Sequence, residues 1–232
     1  STLMAVYGIT RIGCNYLRVP SDCKAGNDAV TIMENFACLF FNGSLLAVLT
    51  GMLWPDRFQY VFSFRTYRGY AFGAMMALSC LLWGSLNEVD YFKKYSLTDS
   101  GISFECAPLF GVTVLSAMAL VAWHVRMAFR HNSLSGFIAY LSSRLAVVAF
   151  YCMYFVMKLE HRDLVFHFHH YAVAYIAASL AEFNHPLSLA LLGIGTSVFV
   201  QGIAAYSAAS LLAYPQEYFV FRLPNGTRVR SP

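Results

Sequence analysis

The sequence predicts an all-α integral membrane protein: a six-helix bundle followed by a short extramembrane β-hairpin tail. Composition and span length carry that expectation. The 232 residues are 58% hydrophobic and only 12% charged, whereas a soluble domain carries about 25% charge. A mean hydropathy of +0.54 points the same way. Six segments reach or approach the roughly 20 apolar residues that cross a hydrocarbon core. The solvent for most of this chain is lipid.

Residues 1–28 open with STLMAVYGIT, which lacks an initiator Met. Its apolar stretch is too short and uncharged for a signal peptide, so this segment is expected to be extramembrane. The transmembrane domain then covers 29–214. Its first span runs from about Ala29 to Trp54 and is closed by WPDRF, because Pro55 cannot continue a helix. The second, third and fourth run from about Tyr70 to Val89, Ala107 to Phe129 and Gly136 to Met157.

The fifth span, about Leu164 to Phe183, is the marginal one. NHP at 184–186 turns it directly into the sixth, Leu187 to Tyr214, so these two are antiparallel neighbours. Both are rich in small residues: Ala174, Ala177, Ala178, Ala181, then Gly195, Gly202, Ala205 and Ala209. Small residues let helices approach closely where no hydrophobic drive pushes them together. Gly202 is therefore expected at a helix–helix contact. Trp54, Trp83, Tyr91 and Tyr171 lie near span ends, where amphipathic rings favour the headgroup layer. In the tail, 215–232, apolar and basic residues alternate around Asn225-Gly226, a strong hairpin signal.

Six spans place both termini and the loops after the second and fourth spans on one side, here side A. Basic residues do not choose its compartment. Side A holds Arg11, Arg18, Lys24, Lys93, Lys94, Lys158, Arg162 and the tail, while side B holds Arg57, Arg65, Arg68, Arg126 and Arg130. Cysteines weigh more. Cys14, Cys23 and Cys106 lie on side A, and a disulfide among them needs an oxidising compartment. Cys38, Cys80 and Cys152 fall inside spans and read as small buried hydrophobes. The sequon NGT at 225–227 is also on side A. These features favour a lumenal or extracellular side A. A net charge of +4 without a basic run excludes a nucleic-acid partner.

HRDLVFHFHHY, from residue 161, places His161, His167, His169 and His170 at the side-A mouth of the fifth span. His167, His170 and Tyr171 share a helical face at i, i+3 and i+4. That face is expected to point into the bundle, with His169 turned outward. A zinc ion needs three or four ligands at about 2.0–2.1 Å. His167 and His170 would supply two, and His161, Asp163, Glu88 or Asp90 could complete the set. The competing reading is structural, with the imidazoles hydrogen-bonded to loops and headgroups. Other polar groups inside spans are Glu34, Asn35, His124, Arg144, Glu182 and Gln201. Glu34 is expected to pair with Arg144 if the first and fourth spans touch. Gln201, one turn beyond Ser197, is expected to hydrogen-bond between helices.

HHY at 169–171, with HPLSLALLGIGTSVFVQGIAAYSAASLL from His185 to Leu212, resembles the end of the polytopic region of fungal LCCL-domain membrane proteins. The matching positions are His169, His170, Tyr171, Ser188, Gly193, Phe199, Gly202, Ile203, Ala204 and Tyr206. This chain has Gln201-Gly202 where that pattern tends to have Asn-Gly, and it contains no LCCL domain. The resemblance implies topology rather than an activity.

Three functions fit these residues. The first is a non-enzymatic structural, assembly or receptor-like subunit, with membrane lipid and other membrane subunits as partners. The second is an intramembrane metal-dependent hydrolase acting on a lipid, in which zinc-bound water attacks a carbonyl. The third is a haem, redox or transport protein using His124 and the 167–170 group. Seven histidines in this spacing exclude the membrane desaturases and hydroxylases, whose histidine boxes are larger and regular.

Overall fold

The computed structural model describes residues 2–18, 23, 28–86, 89, 107–160, 170–206, 220–222 and 228–230. Helix α1 is Thr2–Ile12, continued by a π-helical turn, Gly13–Leu17. Helix α2 is Ala29–Leu49, α3 Pro55–Phe62 and α4 Tyr67–Leu86. Helix α5 is Ala107–His131, α6 Leu134–Glu160, α7 His170–Ser179 and α8 Pro186–Tyr206. Beyond them, β1 (Val220–Arg222) and β2 (Arg228–Arg230) pair antiparallel, with Phe221 opposite Val229. The Asn225-Gly226 turn lies outside the described residues.

Local chemistry sets the helix limits. Asp28, in extended backbone, caps α2 by accepting from the Thr31 amide at 2.9 Å and the Thr31 hydroxyl at 2.8 Å. Those bonds, the amide foremost, hold the Asp28 carboxyl below its ordinary range. After α2, Gly51 turns the chain in the left-handed region, φ 71°, and Pro55 opens α3 at its first position.

Five helical segments are long and apolar enough to cross a membrane: α2, α4, α5, Leu134–Met153 of α6, and α8. The chain thus has the make-up of a multi-pass membrane protein. The expected count of six is not supported. The segment read as the fifth span contributes α7, whose ten residues make about 15 Å of helix, half a hydrocarbon core. Residues 161–169 lie outside the described residues. At the other end the helix tightens: the Leu180 and Ala181 amides bond three residues back, to Ala177 and Ala178. The Ser179 hydroxyl folds onto the Ile176 carbonyl at 2.6 Å.

Helices α7 and α8 are antiparallel, as their small residues and the NHP turn require. Tyr171 lies against Gly202, and Ala174 and Ala178 lie against Gly195. The Phe183 amide donates to the Ser188 hydroxyl at 3.1 Å. From Ser188 to Gly202 the two segments therefore run side by side for about 21 Å. Helix α4 runs parallel to α8: Phe72 and Met75 face Gly193, and the Ser197 hydroxyl donates to the Met76 carbonyl at 2.5 Å.

Helix α8 is the central pillar, buried along most of its length, whereas α5 is almost wholly exposed. Helices α1, α2, α4 and α7 surround it. The part played by α1 was not visible in the sequence, where 1–28 reads as a leading segment. Val6 and Tyr7 sit in the core with Leu39, Met76, Phe199 and Ile203. Asn35 donates to the Tyr7 hydroxyl at 3.2 Å, and Arg11 to the Ala204 carbonyl at 3.1 Å. Leu3 occupies the space beside Gly43.

The disulfide joins Cys14 to Cys23, with Cα atoms 5.9 Å apart. Of the cysteines read as buried, Cys80 is buried and Cys38 half-buried, but Cys152 is exposed on the outer face of α6.

Candidate functional site

The histidine mouth falls largely outside the described residues: this holds for His161, His167 and His169. His170 is the first residue of α7. Tyr171 is fully buried against Gly202, so it faces the bundle and not the headgroup layer. Among the described residues no three His, Cys, Asp or Glu side chains converge as metal ligands would.

The expected Glu34–Arg144 pair does not form. Glu34 is exposed near the start of α2, and its neighbour Asn35 is the buried residue. Arg144 donates to the Leu49 carbonyl at the other end of α2, about 22 Å along the helix from Glu34. Its carboxylate partner is Glu182, at 2.7 Å.

Arg144 belongs to a polar site at the side-B end of the bundle, where α2, α3 and α6 meet the turn between α7 and α8. Its Nε donates to the Ser179 carbonyl at 3.1 Å, and Nη1 to the Ser143 hydroxyl at 2.8 Å. The guanidinium lies over the Tyr140 ring, 4.0 Å from its centroid, and the Tyr140 hydroxyl donates to the Leu180 carbonyl at 3.0 Å. Arg57 of α3 continues the row. It donates to the carbonyls of Ala181 at 2.7 Å and Phe183 at 2.6 Å, to Asn184 Oδ1 at 3.3 Å, and through Nε to the Thr50 carbonyl at 3.4 Å.

The carbonyls of Ser179, Leu180, Ala181 and Phe183 thus accept from two arginines and a tyrosine. A helix end leaves its last carbonyls unpaired and carries partial negative charge. Here cations supplied by other helices satisfy them, which is how the chain can reverse at this depth. Burial pushes the Arg57 guanidinium down to about 10, with Tyr60 and Glu182 opposing the shift. Arg57 remains a cation at neutral pH. Chemically, the arrangement is a clamp whose buried charges are engaged with their own chain.

An aromatic wall backs the clamp. The Trp123 ring lies 4.6 Å from His124 and 4.7 Å from His185, and Phe183 packs on Tyr140 at 5.7 Å. His124 is fully buried, with Nδ1 2.8 Å from the Leu120 carbonyl and Nε2 unpartnered among the described residues. Gln201 is also fully buried, in α8. Ser197 makes the interhelical bond expected of this pair, whereas neither amide atom of Gln201 has a partner among the described residues.

Sequence reasoning took Arg57 for a loop charge and gave Glu182, near a span end, a structural role without a named partner. The available signal was position: Arg57 and Glu182 fall at side-B ends and Arg144 two to three turns inside one, all within reach of the turn that NHP announces. Arg57→Lys is expected to lower thermal stability nearly as much as Arg57→Met. One ammonium group cannot reach Thr50, Ala181 and Phe183 together as the guanidinium fork does. Melting of the detergent-solubilised variants checks this, and full stability of Arg57→Lys would reduce the clamp to a point charge.

Comparison with family models, curated proteins and solved structures finds no match to this chain.

Proposed function

We propose that this chain is a non-enzymatic multi-pass membrane subunit, structural, assembly or receptor-like, which acts by packing within the membrane and with other membrane subunits. The clamp carries this reading. Arg57 and Arg144 hold carbonyls and a carboxylate of their own chain, so the bundle's best-developed polar site is architectural. Tyr171, Ser188, Phe199, Ile203 and Ala204, which carry the resemblance to fungal LCCL-domain proteins, are all buried packing residues, so the resemblance bears on the topology of the last two spans.

Two finer points belong to the proposal. The passage of 171–183 beside α8 supports a sixth crossing, with α7 as its helical part and the β1–β2 ribbon outside the membrane. The Cys14–Cys23 disulfide supports a lumenal or extracellular side A, since such bonds persist in oxidising compartments.

Protein extracted from its own membrane in mild detergent tests the main reading. Its polypeptide mass, corrected for bound detergent, is expected to lie well above the 25.9 kDa of one chain, without stoichiometric zinc or a haem absorption band. Stoichiometric zinc would replace the proposal with the lipid hydrolase built on His161, His167 and His170. A haem band would replace it with the redox reading. Orientation is tested by maleimide labelling. Cys14 and Cys23 are expected to resist the reagent until reduced, and free thiols at both positions in protein handled without reductant would reverse the sides.

A further inference from the structure

We infer that the side-B face around α3 is a recognition surface for the headgroups of anionic phospholipids. The inference rests on the membrane-spanning reading above. Helix α3 is an eight-residue connector between two spans, and it is two-sided. Arg57 and Val61 are buried, while Phe58 is exposed. Trp54, Phe64, Tyr67 and Tyr70 beside it in the chain, and Phe129 on the last turn of α5, which ends on the same side, are all exposed, Trp54 at 71%. Aromatic rings at the ends of spans belong to the headgroup layer, and a short helix of this kind lies in its plane.

Arginines stand among these rings. Arg65 precedes α4, Arg68 is in its first turn, and Arg126 and Arg130 are in the last turns of α5. Arg65, Arg126 and Arg130 are exposed and Arg68 half-buried. None of the four has a carboxylate partner among the described residues. Glu182 is held by Arg144, and the exposed Asp56 sits in the first turn of α3, where it complements the helix dipole.

Arg57 is saturated by carbonyls, so the charges left for an outside ligand are the outer ones. Arg68 is held over the Tyr60 ring, 4.4 Å from its centroid. A guanidinium fixed in this way presents a fork that matches phosphate oxygens. Rings together with arginines that have no carboxylate partner among the described residues, at one end of the spans, fit a lipid headgroup layer with negative charge. A water-borne acidic partner would match the arginines and leave the rings uncovered. Anionic lipid is concentrated in the cytoplasmic leaflet, so the surface also makes side B cytoplasmic, opposite the disulfide.

The full chain, purified in mild detergent, is offered phosphatidylserine or phosphatidylcholine, and retained lipid is read by native mass spectrometry. Phosphatidylserine is expected to be retained preferentially, with roughly a fivefold loss of preference for each arginine removed and a further loss at high salt. Arg65→Gln/Arg68→Gln should weaken the preference, and Arg126→Gln/Arg130→Gln gives a second, independent variant if the first folds poorly. Arg18→Gln, on side A, should leave it intact. Equal retention of the two lipids by the wild type, or an unchanged preference in both double variants, overturns the surface. Alkaline carbonate extraction separates this failure from that of the membrane reading. Release of the wild-type chain from native membranes would sink the spanning assignment, whereas its retention with indifferent lipid binding sinks only the surface.

Discussion

Arg144→Ala is expected to destabilise the protein by about 2–4 kcal/mol, since it strips a donor from two buried carbonyls at about 1–3 kcal/mol each. The mechanism is desertion, not simple loss of a contact. Without the guanidinium, the Glu182 carboxylate loses its counter-ion, and the carbonyls of Leu49 and Ser179 lose a donor. Water cannot replace it at a residue only 8% exposed. Glu182→Gln should cost far less, about 1 kcal/mol or below, since its side chain is about one-third exposed and its charge is partly screened. The asymmetry is the diagnostic outcome. If the clamp were a simple ion pair, the two substitutions would cost the same. Because Arg144 also joins α2, α6 and the α7–α8 turn through carbonyls, its loss should be several times worse. Thermal unfolding of both variants and of the double variant decides the point, and equal losses would refute the clamp.

The legible and illegible parts of the fold divide along a physical line. The α7–α8 hairpin could be read because close helix packing demands small side chains at regular spacing, and Ala174, Ala178, Gly195 and Gly202 announce it. The lipid-facing helices could be read because apolar length is itself the signal. Helix α1 could not: its eleven residues include Thr10 and Arg11 and are too short for a span, so only tertiary contact shows that Val6 and Tyr7 are core. The Arg144 partner was chosen by charge alone, when height in the bundle would have chosen better. Glu34 lies near the side-A end of α2, while Arg144 lies two to three turns from the side-B end of α6, level with Glu182. The C-terminal end of α7 falls at Ser179 rather than Phe183, because a clamped turn lets the chain leave the helix early. No composition or hydropathy pattern reports that two arginines from other helices will satisfy the carbonyls.

Gly202→Leu should be the most damaging single substitution in α8. A Cβ at this position would stand 2.5 Å from both Cβ and Cγ of Tyr171, a distance that real Cβ atoms do not tolerate. Tyr171 cannot yield easily, because it is fully buried and belongs to the same core as Phe199 and Ile203. Relief requires α7 to move away from α8, which breaks the contacts of Ala174 and Ala178 with Gly195 further along the same pair. Overpacking of a tight core costs about 1–3 kcal/mol, and a leucine wedged between two backbones belongs at or above the top of that range. The control is Leu192→Ile, a volume-conserving change at another buried position of α8, expected to cost less than about 1.5 kcal/mol. Tyr171→Ala separates bulk from helix propensity. By itself it should destabilise, since a large buried ring is lost. Combined with Gly202→Leu it should cost less than the sum of the two, because the cavity of one receives the side chain of the other. Additive losses, or a Gly202→Leu variant that melts with Leu192→Ile, would show that the two helices are not in close contact at this level.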